Sequence, residues 1–152
     1  MVVPSFTTED ILEVYDLIEI MQNYAVTSCI AKCTEETLQD LRDSLIHMRQ
    51  ALDKGDIYQG TQWDQKFHEL IVDYSHNHRL KNIYAQLDCQ HRLFIATILN
   101  DMPLAERSYL EHRTILHAIE ERDVAAAQDA IKVHYQTIKQ YYINKLIRRI
   151  QI

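Results

Sequence analysis

The stretch WDQKFHELI, residues 63–71, predicts both a helix and a polar site. Four of its side chains fall on one face of an α-helix, at positions i, i+3, i+4 and i+7: Asp64, Phe67, His68 and Ile71. Two of the four are ionisable, although an apolar face of this kind is expected to pack against a core. A lone buried carboxylate is unfavourable unless it is paired or bound to a cation. The stretch therefore indicates a core helix that carries a polar site.

The same helical spacing continues along the chain and predicts six helices. Their expected limits are Thr8 to Ala31, Thr34 to Lys54, Asp56 to Ser75, Arg79 to Leu99, Pro103 to Arg122, and Asp123 as an N-cap to Arg149. The 152 residues include only two Gly and two Pro, and no segment alternates with the period of a β-strand. We predict an all-α fold, an antiparallel bundle of six or seven helices that forms one domain over residues 1–152.

Composition and charge limit the class of protein. The net charge of −6 and the pI of about 5.7 do not favour a surface that binds nucleic-acid phosphates. No apolar run approaches the roughly 20 residues of a membrane-spanning helix, and the N-terminus lacks the features of a secretory signal. An odd number of cysteines without such a signal indicates reduced thiols. We therefore expect a cytoplasmic protein with no membrane segment.

Cys29 and Cys33 are four residues apart on the first predicted helix. This spacing fits a pair of metal ligands or a redox pair, and it fits equally two small side chains that pack as hydrophobes. We favour packing, because buried cysteine behaves as a small hydrophobic residue.

Two further predicted helices turn a histidine toward their apolar face. His112 shares a face of the fifth helix with three apolar residues, and His134 does so on the sixth. With Asp64 and His68, they supply three imidazoles and one carboxylate, a set suited to Zn, Ni, Fe, Mn or Co. The alternative is a core in which each histidine is hydrogen-bonded to a neighbour. Because three helices each contribute a histidine, we predict one divalent transition metal. The ligand types alone do not choose among these metals; zinc is our first choice, with Ni, Mn or Fe as the others.

The same residues belong to motifs that resemble a known family, the FadR C-terminal domain (FCD) family, which forms the ligand-binding domain of GntR-type bacterial transcription regulators. The motifs are DQKFH at residues 64–68, NHRL at 77–80, HRTILHAI at 112–119, and DVAAA at 123–127 followed by His134. They are similar to the family patterns D-x-x-F-H, N-x-x-L, H-x-x-I-x-x-A-I and D-x-x-x-A with a later His. The four occur in the family order and extend over almost the whole chain.

The resemblance implies roles for individual residues. In metal-binding members of the family, the residues that correspond to Asp64, His68, His112 and His134 coordinate one divalent metal in the centre of the bundle. A small carboxylate metabolite binds at or beside that metal.

The resemblance also implies effector-binding roles for Arg92 on the fourth helix and for Asn77 in the turn before it. It further implies a homodimer, and exposed tyrosines on the last helix, around Tyr141 and Tyr142, would be compatible with an interface. We therefore expect an effector-sensing domain of a transcription regulator.

Two departures from the family pattern are visible. Residues 1–10 are too few to form the winged helix-turn-helix domain that normally precedes the FCD domain. We expect DNA binding only through a domain that is missing from this chain. The first helix also lacks the R-x-x-L-E pattern that is usual in the family, so a contact from that arginine cannot be assumed.

Two other functions are compatible with the same four residues. The first is a metal-dependent enzyme on a helix bundle, and the second is a metal-free dimerisation module. An enzyme would need a general base beside the metal. Glu69 and Glu111 each follow or precede a predicted ligand, which turns them about 100° away from the ligand face. We therefore predict that the protein is not an enzyme.

Overall fold

The computed structural model describes residues 6–98 and 100–150, without the side chains of residues 96–98, 146, 149 and 150. Six helices and no strand lie within these residues: α1 (Thr8–Ala31), α2 (Glu35–Asp53), α3 (Ile57–Asp73), α4 (His78–Ile98), α5 (Met102–Glu120) and α6 (Val124–Ile150). The prediction of an all-α helix bundle is confirmed. The predicted end of the fourth helix, Leu99, lies outside the described residues.

Local side chains determine where the helices begin. At α1, the Thr7 hydroxyl accepts from the backbone N–H of Asp10 at 3.0 Å, and the Asp10 carboxylate accepts from the N–H of Thr7 at 2.8 Å. Asp56, Asp101 and Asp123 each accept from a backbone N–H three residues ahead at 3.0 Å. Because these signals are local in sequence, the predicted helix limits in the described part of the chain agree with the structure to within two residues.

Three helices end on a residue in the left-handed backbone region. These residues are Gly55 after α2 (φ 72°), His76 after α3 (φ 54°) and Arg122 after α5 (φ 55°). A helix that ends in this conformation bonds its last carbonyl groups to the following turn, and each turn is only a few residues long. The chain therefore reverses direction sharply after α2, α3 and α5.

Helix α3 lies against most of the other helices. It packs on α1, α2, α4 and α5, while α6 packs on α1 and α5. Gly60 permits the close approach of α3 to α2, because a Cβ at this position would lie 2.7 Å from Cδ2 of Leu52. The face of α3 that carries His68 is thereby directed into the interior of the bundle.

None of the helices in the described residues is long and apolar enough to cross a membrane.

One prediction about the surface is wrong: Tyr142 is only 1% exposed, and its ring lies 5.4 Å from the ring of Tyr15. Tyr142 is buried because α6 packs along α1 over this part of its length. Tyr141 is half-buried.

Candidate metal centre

Three imidazole rings from three helices converge in the interior of the bundle. They belong to His68 on α3, His112 on α5 and His134 on α6. All three residues are buried, and His112 and His134 are 0% exposed. Nε2 of His112 lies 2.9 Å from Nε2 of His68 and 3.4 Å from Nε2 of His134. The candidate ligand atoms of these three histidines all lie within 4.8 Å of one another. The structure thus brings together three of the four predicted ligands.

The hydrogen bonds of the Nδ1 atoms indicate which nitrogen of each ring carries the proton. The side-chain amide of Gln22 donates to the carbonyl oxygen of His68 at 3.1 Å, so its Oε1 faces Nδ1 of His68 at 3.4 Å. The Tyr135 hydroxyl lies at the same distance from Nδ1, and both oxygens can accept from this nitrogen. Nδ1 of His134 donates to Oε1 of Glu111 at 3.0 Å. The Nε2 atoms of His68 and His134 therefore present lone pairs to Nε2 of His112.

This arrangement leaves too few protons to provide a hydrogen bond for every Nε2 lone pair in the cluster. Nε2 of His112 donates one proton at most, whereas two lone pairs face it. Its Nδ1 atom is buried and has no hydrogen-bond partner among the described residues. A cation that accepts all three lone pairs would resolve this deficit.

The distances in the cluster also fit one bound ion. Two nitrogens at about 2.0–2.1 Å from the same transition metal lie about 2.9 Å apart at a right angle and about 3.4 Å apart at a tetrahedral angle. The separations of Nε2 of His112 from Nε2 of His68 and of His134 are 2.9 and 3.4 Å. The donor set of the structure is therefore compatible with zinc and with the other transition metals that imidazole suits.

Asp64 lies at the edge of the cluster. Its Oδ1 is 3.7 Å from Nε2 of His68, and its Oδ2 is 3.8 Å from Nε2 of His112. The Ser108 hydroxyl donates to Oδ2 at 2.7 Å, and the Asp64 side chain is 21% exposed. The carboxylate thus faces two of the histidines from the more open side. Ser108 precedes His112 by one helical turn, so the spacing test could have found it.

Glu111 is oriented differently from the prediction. Its position on α5 was expected to point it away from the ligand face, yet its side chain is only 13% exposed and contacts Nδ1 of His134. The Thr137 hydroxyl donates to the other carboxylate oxygen at 2.8 Å. The contact forms because α6 packs against the flank of α5, which brings His134 to Glu111. No pattern within either helix signals this contact.

Burial keeps two of the rings uncharged. Loss of hydration lowers the pKa of His68 well below its usual value, and the nearby His112 and His134 add to the effect, while Asp64 opposes it. Loss of hydration also lowers the pKa of His112, with His134 as the second cause. Neutral imidazole is the form that binds a metal, so the environment favours the competent form of these two rings.

A cavity adjoins the histidines. His68, His134, Asp64 and Glu111 line one part of it, and residues of α1, α4, α5 and α6 line the rest. His91 could not be assigned to a helix face from sequence. It is buried and also lines this cavity, with its ring 5.1 Å from that of Tyr15. The arrangement can hold a metal ion with a small molecule beside it.

The two residues with predicted effector-binding roles lie elsewhere. Arg92 donates to Glu69 at 2.5 Å and to Asp88 at 2.8 Å, in a neighbouring surface groove. Asn77 is in the turn before α4: its Oδ1 accepts from the N–H of Leu80 at 3.0 Å, and its amide donates to the Tyr24 hydroxyl at 3.1 Å. Asn77 therefore shapes the turn before α4, and a contact of either residue with an effector stays a prediction.

Gln22 was not predicted to belong to the site. It is 0% exposed and holds both the backbone and the ring of His68. The signal was present, because Gln22 lies one turn after Ile18 on the buried face of α1. A polar residue on an apolar face is the same pattern that drew attention to Asp64.

An all-α bundle with a buried cluster of three histidines is the class of protein that these observations define. The family model described as FCD domain matches residues 13–137. The chain therefore belongs to the FCD domain family, and the resemblance seen in its motifs is confirmed.

Individual relatives agree with this family. The HTH-type transcriptional regulator YdhC of Bacillus subtilis is 31% identical over 135 residues, which are 88% of this chain and 60% of YdhC. The E. coli McbR/YncC structure has a TM-score of 0.84 at 18% identity and covers 94% of this chain and 68% of its own. Streptococcus agalactiae GntR has a TM-score of 0.72 at 21% identity, over 85% and 57% of the two chains. At these identities the two structures show the fold alone.

Proposed function

We propose that this chain is the effector-sensing domain of a GntR-type transcription regulator and that it holds one divalent transition metal. The convergence of three imidazole Nε2 atoms carries the proposal, since these atoms share too few protons and lie at distances that suit one ion. In this proposal His68, His112 and His134 bind the metal, with Asp64 as the fourth ligand. Zinc is our first choice, and nickel, manganese and iron are compatible with the same donors.

A small carboxylate metabolite is the proposed effector. Four protein ligands leave one or two positions open on a metal that accepts five or six ligands, and a carboxylate oxygen suits such a position. The cavity beside His68 and His134 offers the space for the rest of the molecule. The effector's carboxylate binds the metal rather than Arg92 in this proposal, because Arg92 already forms ion pairs with Glu69 and Asp88.

Regulation of DNA binding would follow from the fact that the metal ligands come from three different helices. The proposed metal joins α3, α5 and α6, so an effector that binds it alters how these helices pack. An effector changes DNA binding only if it prefers one of two packing states. The chain spans about 60% of the length of YdhC, whose name marks it as a helix-turn-helix regulator. Control of DNA binding through an attached domain, in a homodimer, is therefore part of the proposal.

Metal content in a ligand variant tests the proposal. Protein without a histidine tag is stripped with a chelator, dialysed against Zn²⁺ and analysed for its elements. We expect about one zinc per wild-type chain, and for His134→Ala an affinity lower by more than about 100-fold, because loss of an outer-shell partner alone costs about 10–100-fold.

His117→Ala is the matched control, because His117 is an exposed histidine on α5. It should bind zinc as the wild type does. Wild-type stoichiometry and affinity in His134→Ala would contradict the proposed centre, and the absence of zinc from the wild type would favour the metal-free module.

A further inference from the structure

The lining of the cavity beside the histidines combines polar and apolar side chains. His68 and His134 are among the polar ones, and its apolar wall includes Met48, Ile57, Ile95, Leu104 and Ile138. The cavity has a volume of about 50 Å³. This volume is small, so it suits a short chain rather than a bulky molecule.

The charges around the cavity are all of one sign. Three carboxylates line it, from Asp64, Asp101 and Glu111, and no Lys or Arg occurs among the described lining residues. Each carboxylate already accepts a hydrogen bond from the protein, from Ser108, Tyr141 and His134 respectively. His91, the other histidine of the lining, already faces Asp88 at 3.5 Å. A second negative charge on a bound molecule would therefore meet no Lys or Arg.

The aromatic part of the wall is uncharged. Burial raises the pKa of Tyr142 to about 12 and raises that of Tyr15 well above its usual value, and Tyr135 forms the third ring of this wall. All three side chains line the cavity. Their rings provide apolar contact area, and none of them supplies a charge at neutral pH.

We propose that the effector is a small monocarboxylate with an uncharged, apolar chain. This inference rests on the proposed function, since the metal receives the single carboxylate. The apolar chain of the effector then lies against Leu104 and Ile138, where the burial of each methylene contributes favourable free energy. A dicarboxylate of the same length would place its second charge in this apolar space among three carboxylates, where removal from water is not compensated.

Isothermal titration of the zinc-loaded protein with four probes tests the proposal. The probes are acetate, butyrate, succinate and 1-butanol, of which the last three have the same chain length. We expect butyrate to bind about 10-fold more tightly than acetate, because two additional methylenes are buried. Succinate should bind at least about 10-fold more weakly than butyrate, and 1-butanol should give no measurable heat.

A variant of the apolar wall tests where the apolar chain of the effector lies. Ile138→Ala should reduce the preference for butyrate over acetate severalfold, while zinc content and acetate affinity remain those of the wild type. These two readouts also establish that the variant is folded. Ile83→Ala is the matched control, because Ile83 is 54% exposed on α4, and it should leave the preference unchanged.

The outcomes separate this inference from the proposed function. Equal affinities for acetate, butyrate and succinate, or a preference for succinate, would overturn the inference and leave a metal-bound carboxylate effector in place. An unchanged butyrate preference in Ile138→Ala would also overturn it. If the zinc-loaded protein binds no carboxylate at all, acetate included, the proposed function fails and the inference fails with it.

Discussion

The orientation of each histidine ring depends on a neighbouring side chain. His68 is held by Gln22 from α1 and His134 by Glu111 from α5. The ring of His112 instead stacks on that of Phe67, with centroids 4.8 Å apart. Partners of this kind fix the tautomer and direct the free lone pair toward a metal. The geometry of the cluster thus rests on residues that would not themselves touch the metal.

Glu111 provides a test at the residue scale. Glu111→Ala removes the acceptor for Nδ1 of His134, so the zinc affinity should fall by about 10–100-fold. Glu111→Gln keeps an acceptor oxygen but loses the charge, and it should give an intermediate affinity. Competition with a chromophoric chelator measures the zinc affinity of the wild type and of both variants.

Glu121→Ala is the control for this test, because Glu121 is an exposed carboxylate just after α5. Its zinc affinity should equal that of the wild type. If Glu111→Ala retained wild-type affinity, the Glu111 contact would have no role in orienting His134.

At the scale of the helices, one side chain both begins a helix and joins it to another. Asp101 accepts from the N–H of Leu104 at the start of α5, and its second oxygen accepts from the Tyr141 hydroxyl on α6 at 2.9 Å. The first contact was predictable in kind, because aspartate is a preferred N-cap residue. The second requires α6 to lie beside the start of α5, which the sequence does not indicate.

The capping role of Asp101 predicts a change in stability. Asp101→Ala should lower the free energy of unfolding by about 1–2 kcal/mol, because the cap and the bond from Tyr141 are both lost. Asp101→Asn can still accept from Leu104 and should lose less. Urea unfolding monitored by circular dichroism gives these values.

Asp129→Ala serves as the comparison, because Asp129 is an exposed aspartate within α6. Substitutions at such sites change stability by no more than about 0.5 kcal/mol. A loss at Asp101 no larger than the loss at Asp129 would show that the cap does not stabilise α5.

At the scale of the whole molecule, burial of the histidines makes stability depend on pH. The pKa values of His68 and His112 are lowered in the folded protein, whereas both groups titrate near about 6.5 in the unfolded chain. Below that pH the unfolded chain therefore binds more protons than the folded one, and the folded state loses stability as pH falls.

We expect the metal-free protein to be less stable at pH 5.5 than at pH 7.5 by about 2–3 kcal/mol from these two groups. Urea unfolding of chelator-treated protein at the two pH values measures the difference. His47→Ala, which removes an exposed histidine, should show the same difference. A stability that is flat between these pH values would contradict the burial of two neutral imidazoles.

The sequence by itself determined the six helices and the faces on which the histidines lie. Helical spacing and capping residues act within a few positions of one another, so the limits of the helices and the inward direction of His68, His112 and His134 were predictable. Spacing gives the direction of a side chain around its own helix axis. It gives neither the distance to a side chain on another helix nor the rotation of that helix.

Only the tertiary structure decided the features that depend on two helices at once. The Nε2 separations of 2.9 and 3.4 Å, the contact of Glu111 with His134 and the burial of Tyr142 are all of this kind. The first separation arises because α3 packs on α5, and the other features arise because α6 packs on both α5 and α1. The identity of the candidate ligands was therefore a property of the sequence, whereas their convergence on one point, and the cavity beside it, are properties of the packing.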